Sequence, residues 1–368
     1  MYDRKQRKTK MYYLYPDYYK KFHCTADKCI DTCCAEWQIV IDDDSLEKYG
    51  KYEGDYQQTL CQNIDWEEGV FEHNKRGKCA FLRGDNLCDM YIHMGAGSLC
   101  STCREYPRHT EEFENLREIT LSLSCPEVAK IVMNTTEPVT FISKEDDEDE
   151  NYEDFDYFLF SELEDVREEM ICIMQNRSIS IGDRIGEILQ ISASVQRHYD
   201  AGSLILWKEF DESDRVRVND EYEFFERVFL FLFEEFEILY PQWAEVLVES
   251  RLFLFSEGRE VFEQNKEEFE TWWNTSGLTP LEIVLEQLVV YFISVYLLGA
   301  VYDENVLGKI DACIGHTIEI YLLLLGRWLK HGELAMDDVM EVVYRYSREI
   351  EHSDENLERA EMLNWFER

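Results

Sequence analysis

The sequence predicts an α+β protein, with a small cysteine-rich, mixed α/β metal-binding domain first and a mostly α-helical bundle after it. Two observations predict this. Ten of the twelve cysteines lie between Cys24 and Cys125, and beyond residue 157 apolar residues recur almost throughout at helical spacing. Between the two regions nine of the twelve residues from Glu145 to Asp156 are acidic, a run that repels itself and cannot bury enough apolar surface to fold alone. The expected organisation is therefore a cysteine-rich domain at 1–143, an acidic linker or loop at 144–156 and a helical domain at 157–368. At 368 residues the chain can build two cores.

Trp37, Ile39 and Ile41 alternate with polar or outward positions, as in a half-buried strand, and Asp44 or Ser45 then offers an N-cap for a helix through Leu46, Tyr49 and Tyr56. Lys78 to Met94 reads as a hairpin around Gly84-Asp85-Asn86, with Cys79 and Cys88 on its arms. Gly95-Ala96-Gly97 lacks the third glycine and the flanking βαβ unit of a nucleotide-binding loop, so it reads as a turn before Cys100. From Glu118 to Ser124 the alternation points Ile119, Leu121 and Leu123 inward. Pro126 suits the first turn of a helix through Val132, and Cys125, at that helix start, is placed where the dipole favours a thiolate.

In the second half, Phe158, Leu159, Leu163, Val166, Met170 and Ile173 follow a helical period, as do Phe224 to Phe236. Ile283–Val301 and Ile318–Leu329 are the most apolar stretches. The first contains Glu286 and Gln287, and the second is short and carries Glu319 and Arg327, so both are expected in the core rather than in a membrane span.

With 77 acidic against 37 basic side chains the formal charge is −40. Nucleic acid is excluded as a partner because the phosphate attraction is reversed in sign; a basic or lysine-bearing protein surface would be drawn in. The basic run Arg4, Lys5, Arg7, Lys8 and Lys10 reads as a solvated terminus, and the absence of an apolar leader after it gives a cytoplasmic expectation. There the thiols stay reduced. Closely spaced cysteines then suit a soft metal, either zinc or an iron–sulfur cluster. The candidate ligands are Cys29, Cys33, Cys34, Cys79, Cys88, Cys100, Cys103 and Cys125. Side chains of the adjacent pair Cys33-Cys34 diverge, so one of them can serve a second centre. His23, His93 and His109 could each supply an imidazole. Neither a Walker loop, an HExxH zinc motif nor a GxSxG elbow is present.

Four strings then carry a resemblance: Cys29-Ile-Asp-Thr-Cys33-Cys34-Ala-Glu-Trp37, Cys79-Ala-Phe-Leu82, Leu99-Cys100-Ser-Thr-Cys103-Arg-Glu-Tyr106-Pro107-Arg108 and Ser122-Leu-Ser124-Cys125-Pro126-Glu127. Together with Tyr346-Ser-Arg-Glu-Ile-Glu-His-Ser353, in order and approximate spacing, they resemble the flagellin lysine N-methyltransferase family. That resemblance implies methyl transfer from S-adenosylmethionine to surface lysines of flagellin, with an iron–sulfur cluster, 4Fe–4S, on the N-terminal cysteines. The spacing Cys29-x3-Cys33 lacks the third cysteine of the radical S-adenosylmethionine signature. Lysine is protonated at neutral pH, so polar methyl transfer needs a pocket that desolvates or deprotonates it. Tyr106 and Glu127 are the candidate catalytic residues; Arg104 and Arg108, as carboxylate clamps, and Trp37 are the candidate cofactor contacts. The alternative is a non-enzymatic zinc-binding adaptor for a flagellar or other protein.

Overall fold

A computed structural model describes residues 11–35, 37–75, 77–113, 115–146, 156–203, 210–216, 218–363 and 365–366. The basic run at 4–10 and the acidic residues 147–155 lie outside them.

The first part of the chain contributes β1 (Met11–Pro16), α1 (Asp43–Gly50), α2 (Gln57–Gln62), the short pair β2 (Ile64–Asp65) and β3 (Val70–Phe71), and α3 (Asp89–Met94). It continues through α4 (Ser101–Glu105), β4 (Arg108–Phe113), β5 (Leu116–Leu121), α5 (Pro126–Met133) and β6 (Phe141–Asp146). Helices follow: α6 (Tyr157–Met174), α7 (Ile181–Asp200), α8 (Glu221–Glu234), α9 (Pro241–Phe255), α10 (Arg259–Thr275), α11 (Leu281–Tyr296), α12 (Ala300–Asp303), α13 (Val306–His331), α14 (Met336–Glu351) and α15 (Asp354–Met362). The architecture is α+β, as the sequence predicts.

Among the described residues one sheet has the order β4-β5-β1-β6, with β1 parallel to β5 and antiparallel to β6. The buried apolar residues form two clusters. The larger runs from Tyr18 through β5, α5 and every long helix to Phe366. The smaller gathers Ile39, Ile41, Tyr49, Leu60, Phe71 and Phe81 around Cys79 and Cys100. The sheet thus shares its core with the helices, and Lys144, Glu145 and Asp146, expected in the linker, pair with β1 in β6. The two cores part around residues 34 and 103 rather than near the acidic run.

Local expectations fare unevenly. Ile39 and Ile41 are buried and Val40 is exposed, but the segment makes only a bridge to Val70 instead of a strand. Asp42, not Asp44 or Ser45, caps α1 by accepting from the Ser45 amide at 3.0 Å, and the helix stops at Gly50. The turn at 83–87 forms, with Leu82 bridged to Cys88, yet its second arm ends at once because Cys88 is the N-cap of α3. Along β5 it is Glu118, not Ile119, that is buried. Its carboxylate receives both guanidinium nitrogens of Arg167 on α6, at 2.7 and 2.6 Å. A buried carboxylate needs such a fork.

The continuous helical stretch Leu281–Asp303, through α11 and α12, and α13 are long and apolar enough to cross a membrane by composition, and both are mostly buried inside the helical body. On α13, Gly315 lets the Trp365 indole pack directly against the helix, since a Cβ there would run into that ring.

Candidate functional site

A cleft of about 600 Å³ lies where the cysteine region meets the helical body, within the usual size of small-molecule sites. Trp37 forms part of the wall; its indole nitrogen donates to the Cys33 carbonyl at 2.5 Å. The Trp37 ring stacks on His352 at 4.6 Å and lies 5.7 Å from Tyr106. Tyr106 in turn meets the Ser124 hydroxyl at 3.0 Å. Its ring follows α4, which is fixed to the loop before α1 by bonds from the Ser101 amide to Asp42 and from the Thr102 hydroxyl to the Val40 carbonyl.

Tyr291 and Tyr296 from α11 and Glu351 and His352 from the end of α14 complete the cleft. Glu351 accepts from Tyr291 Oη at 3.0 Å and from the Ser122 hydroxyl. Tyr291 Oη itself accepts from the Leu123 amide at 3.1 Å. Ser122 also contacts Ser124, so hydroxyls run unbroken from Glu351 through Ser122 and Ser124 to Tyr106. Burial pushes the Glu351 carboxyl up to about 7 and pulls His352 down to about 3. The imidazole is neutral at physiological pH.

Arg108 lines the same cleft, its guanidinium over the rings of Phe22 at 5.1 Å and Tyr19 at 5.9 Å. It makes no ion pair among the described residues, which leaves its fork open to a carboxylate. Two of the expected site residues are elsewhere. Arg104 is exposed and occupied by Glu105 at 2.9 Å and Ser101 at 3.2 Å. Glu127, half-buried in the first turn of α5, is not among the residues lining the cleft. Glu351, which lines it together with Glu105, Glu111 and Asp354, is far from the cysteines in sequence. The available signal for it was the Tyr346–Ser353 string.

The cysteines are all free thiols. Cys34, Cys79, Cys88, Cys100 and Cys103 belong to the smaller core, where the Cys79 amide donates to the Cys34 carbonyl at 2.9 Å. Cys79 is pushed up to about 12 by burial and by the charges of Cys34, Cys88 and Cys100. Cys29, Cys33 and Cys125 form another neighbourhood, joined by Cys24. The adjacent pair divides between them: Cys33 keeps its proton and donates to Cys34, which falls to about 7. Cys100 and Cys103 share a proton in the same way, Cys100 being lowered. Cys125 does sit at the N-cap of α5, but burial overrides the helix dipole and lifts it to about 11.

Arg348 of α14 fastens the second neighbourhood to the helical body. It donates to the Ser124 carbonyl at 3.0 Å and the Asp31 carbonyl at 3.0 Å, and pairs with the Asp31 carboxylate at 3.1 Å. Among the described residues no three His, Cys, Asp or Glu side chains converge closely enough to hold one ion. The donor chemistry nevertheless suits a soft metal, since thiols that raise one another's pKa are relieved by a thiophilic cation. The three histidines considered as ligands have other roles. His93 stacks on Tyr56 at 4.9 Å, His23 bonds the Lys21 carbonyl and His109 pairs with Glu111 at the cleft.

A family model described as the FliB lysine N-methylase C-terminal domain matches residues 167–367. The lysine-N-methylase of Salmonella typhimurium is 29% identical over 138 residues, covering 35% of this chain and 34% of that protein. The one from Salmonella choleraesuis matches to the same extent. The flagellar biosynthetic protein FliU of Salmonella muenchen is 30% identical over 128 residues, 32% of this chain and 75% of FliU. The matched segment spans about a third of the length of the two lysine-N-methylases. No solved structure matches the chain.

Proposed function

Because the chain belongs to the FliB lysine N-methylase family, we propose that it is a protein-lysine N-methyltransferase that uses S-adenosylmethionine to methylate surface lysines of flagellin in the cytoplasm. The observation that carries this reading is the cleft itself. Trp37, Tyr106 and Arg108, each expected from sequence as a cofactor contact or catalytic residue, meet there beside the cysteine neighbourhoods. Aromatic faces attract a sulfonium or an alkylammonium, and Arg108 is suited to grip the carboxylate of the methyl donor. Rigid walls favour methyl transfer by holding donor and acceptor in line. The decisive experiment is mass spectrometry of flagellin incubated with the purified protein and S-adenosylmethionine; no added mass on any lysine would reject the reading.

The residues proposed to hold metal are Cys29, Cys33 and Cys125 in one neighbourhood and Cys34, Cys79, Cys88, Cys100 and Cys103 in the other, as an iron–sulfur cluster or as zinc. Bound there, a cluster supplies one-electron chemistry and zinc supplies a clamp. Cys103→Ser should lose metal and lower the melting temperature, because ligand loss removes folding free energy directly. Unchanged metal content by elemental analysis would remove Cys103 from the ligand set.

Arg108→Ala is expected to keep metal and fold while losing most S-adenosylmethionine affinity, roughly tenfold or more for a charge-assisted fork. Isothermal titration checks it, and wild-type affinity would leave Arg108 with only its stacking role. Charge supports the partner: at −40 the surface favours a lysine-bearing acceptor, and association should weaken from low to physiological salt.

A further inference from the structure

Building on the methylase reading, we propose that the Glu351 end of the cleft seats a primary aliphatic amine, the side chain of an acceptor lysine, and that the Glu351 carboxylate takes up its proton. A carboxylate is poorly placed where it stands. It occupies the last residue of α14, where the negative end of the helix dipole opposes it, and it is packed among aromatic rings. Hydroxyls of Tyr291 and Ser122 hold it, and Ser347 and His109 also favour its ionised form, but no lysine or arginine pairs with it among the described residues. A cation arriving through the cleft would complete the pair. Trp37, Tyr106 and Tyr296 line the cleft, and aromatic walls attract an alkylammonium.

His352 supports the same occupant. Its Nδ1 meets the Tyr240 hydroxyl at 3.1 Å, whereas its Nε2 is buried with no hydrogen-bond partner among the described residues, although the residue lines the cleft. Held neutral by burial, it does not repel an incoming charge.

The chemistry balances. An N–H bond of the lysine ammonium breaks and its proton passes to the Glu351 carboxylate. The freed nitrogen lone pair forms a C–N bond to the methyl carbon of a sulfonium donor, whose C–S bond breaks with its electron pair left on sulfur. The carboxylic acid then returns the proton to solvent, with the Ser122–Ser124–Tyr106 hydroxyls as a conduit. A carboxyl near 7 is matched to accepting a proton at neutral pH. The titratable groups facing it are Tyr18, His109 and Glu111 from the sheet side, Tyr291 and Tyr296 from α11, and His352 beside it.

The test uses the full chain and the isosteric variant Glu351→Gln. Calorimetry with Nα-acetyl-lysine amide and Nα-acetyl-norleucine amide should show wild type preferring the lysine compound by about tenfold, a preference lost in the variant while metal content and S-adenosylmethionine affinity stay unchanged. With flagellin as acceptor the variant should methylate about 100-fold more slowly and lose a rise in rate centred near pH 7. Glu351→Asp should recover part of that rise. Absence of a lysine preference in wild type, or a variant rate within about twofold with the pH profile intact, overturns the inference. A lysine preference that depends on Glu351, in a wild-type protein that leaves flagellin unmodified, upholds the amine seat and rejects the methylase reading instead.

Discussion

Arg167→Leu should destabilise the protein by about 3–5 kcal/mol, the cost of breaking a buried ion pair from one side. Arg167 and Glu118 are both almost wholly buried, and the fork between them, at 2.6–2.7 Å, joins the sheet to α6. Leucine fills much of the space yet strands the Glu118 carboxylate in a low-dielectric interior. The double variant Glu118→Leu with Arg167→Leu should regain most of the loss, because two apolar side chains replace two desolvated charges. Denaturant unfolding of the four proteins in the cycle measures this. Equal destabilisation by single and double changes would mean that the pair contributes packing rather than charge satisfaction.

Arg348→Met should have the second large effect, and a more local one. The guanidinium holds two carbonyls, those of Asp31 and Ser124, as well as the Asp31 carboxylate. Losing hydrogen bonds to a charged donor costs on the order of 3 kcal/mol. Methionine fills much of the side chain's space beside Tyr344, over which the guanidinium lies at 5.1 Å, but frees the Cys29–Cys33 loop from the start of α5. Hydrogen exchange should therefore quicken around residues 29–34 and 122–126 while the amides of α13 keep their protection. Uniform loss of protection throughout would show that Arg348 supports the global core instead.

Helices were the most legible part of the sequence because their apolar period repeats over several turns, as in α6 and α8. The sheet was not. β1 pairs in parallel with a strand about a hundred residues later, and β6 ends in Lys144-Glu145-Asp146, whose composition speaks for solvent. Its strand character comes from backbone bonding to β1, which composition does not encode. Glu118 misled the reading of β5 because a charged residue at an alternate position signals an outward face unless its partner, here on α6, is known. Trp37, Tyr106 and Arg108, legible in the sequence because they stand close to cysteines, all line one cleft. Glu127 is a candidate for the same reason of nearness in sequence, whereas Glu351 is brought to the cleft by a contact with Ser122 that spans 229 positions. Neighbouring thiols also defeated the simple dipole argument at Cys125, where burial outweighs the helix end.

Arg348 and Glu351 stand one turn apart on α14, the first bonded to the Cys29–Cys33 loop and the second lining the cleft at its proposed amine seat. A rigid helical turn cannot shift at one of these points without shifting at the other. A metal on the proposed thiol ligands and an amine in the proposed seat would then be linked by one coupling free energy, and linkage makes it reciprocal. Whatever factor metal loading adds to amine affinity, a bound amine must return to metal affinity.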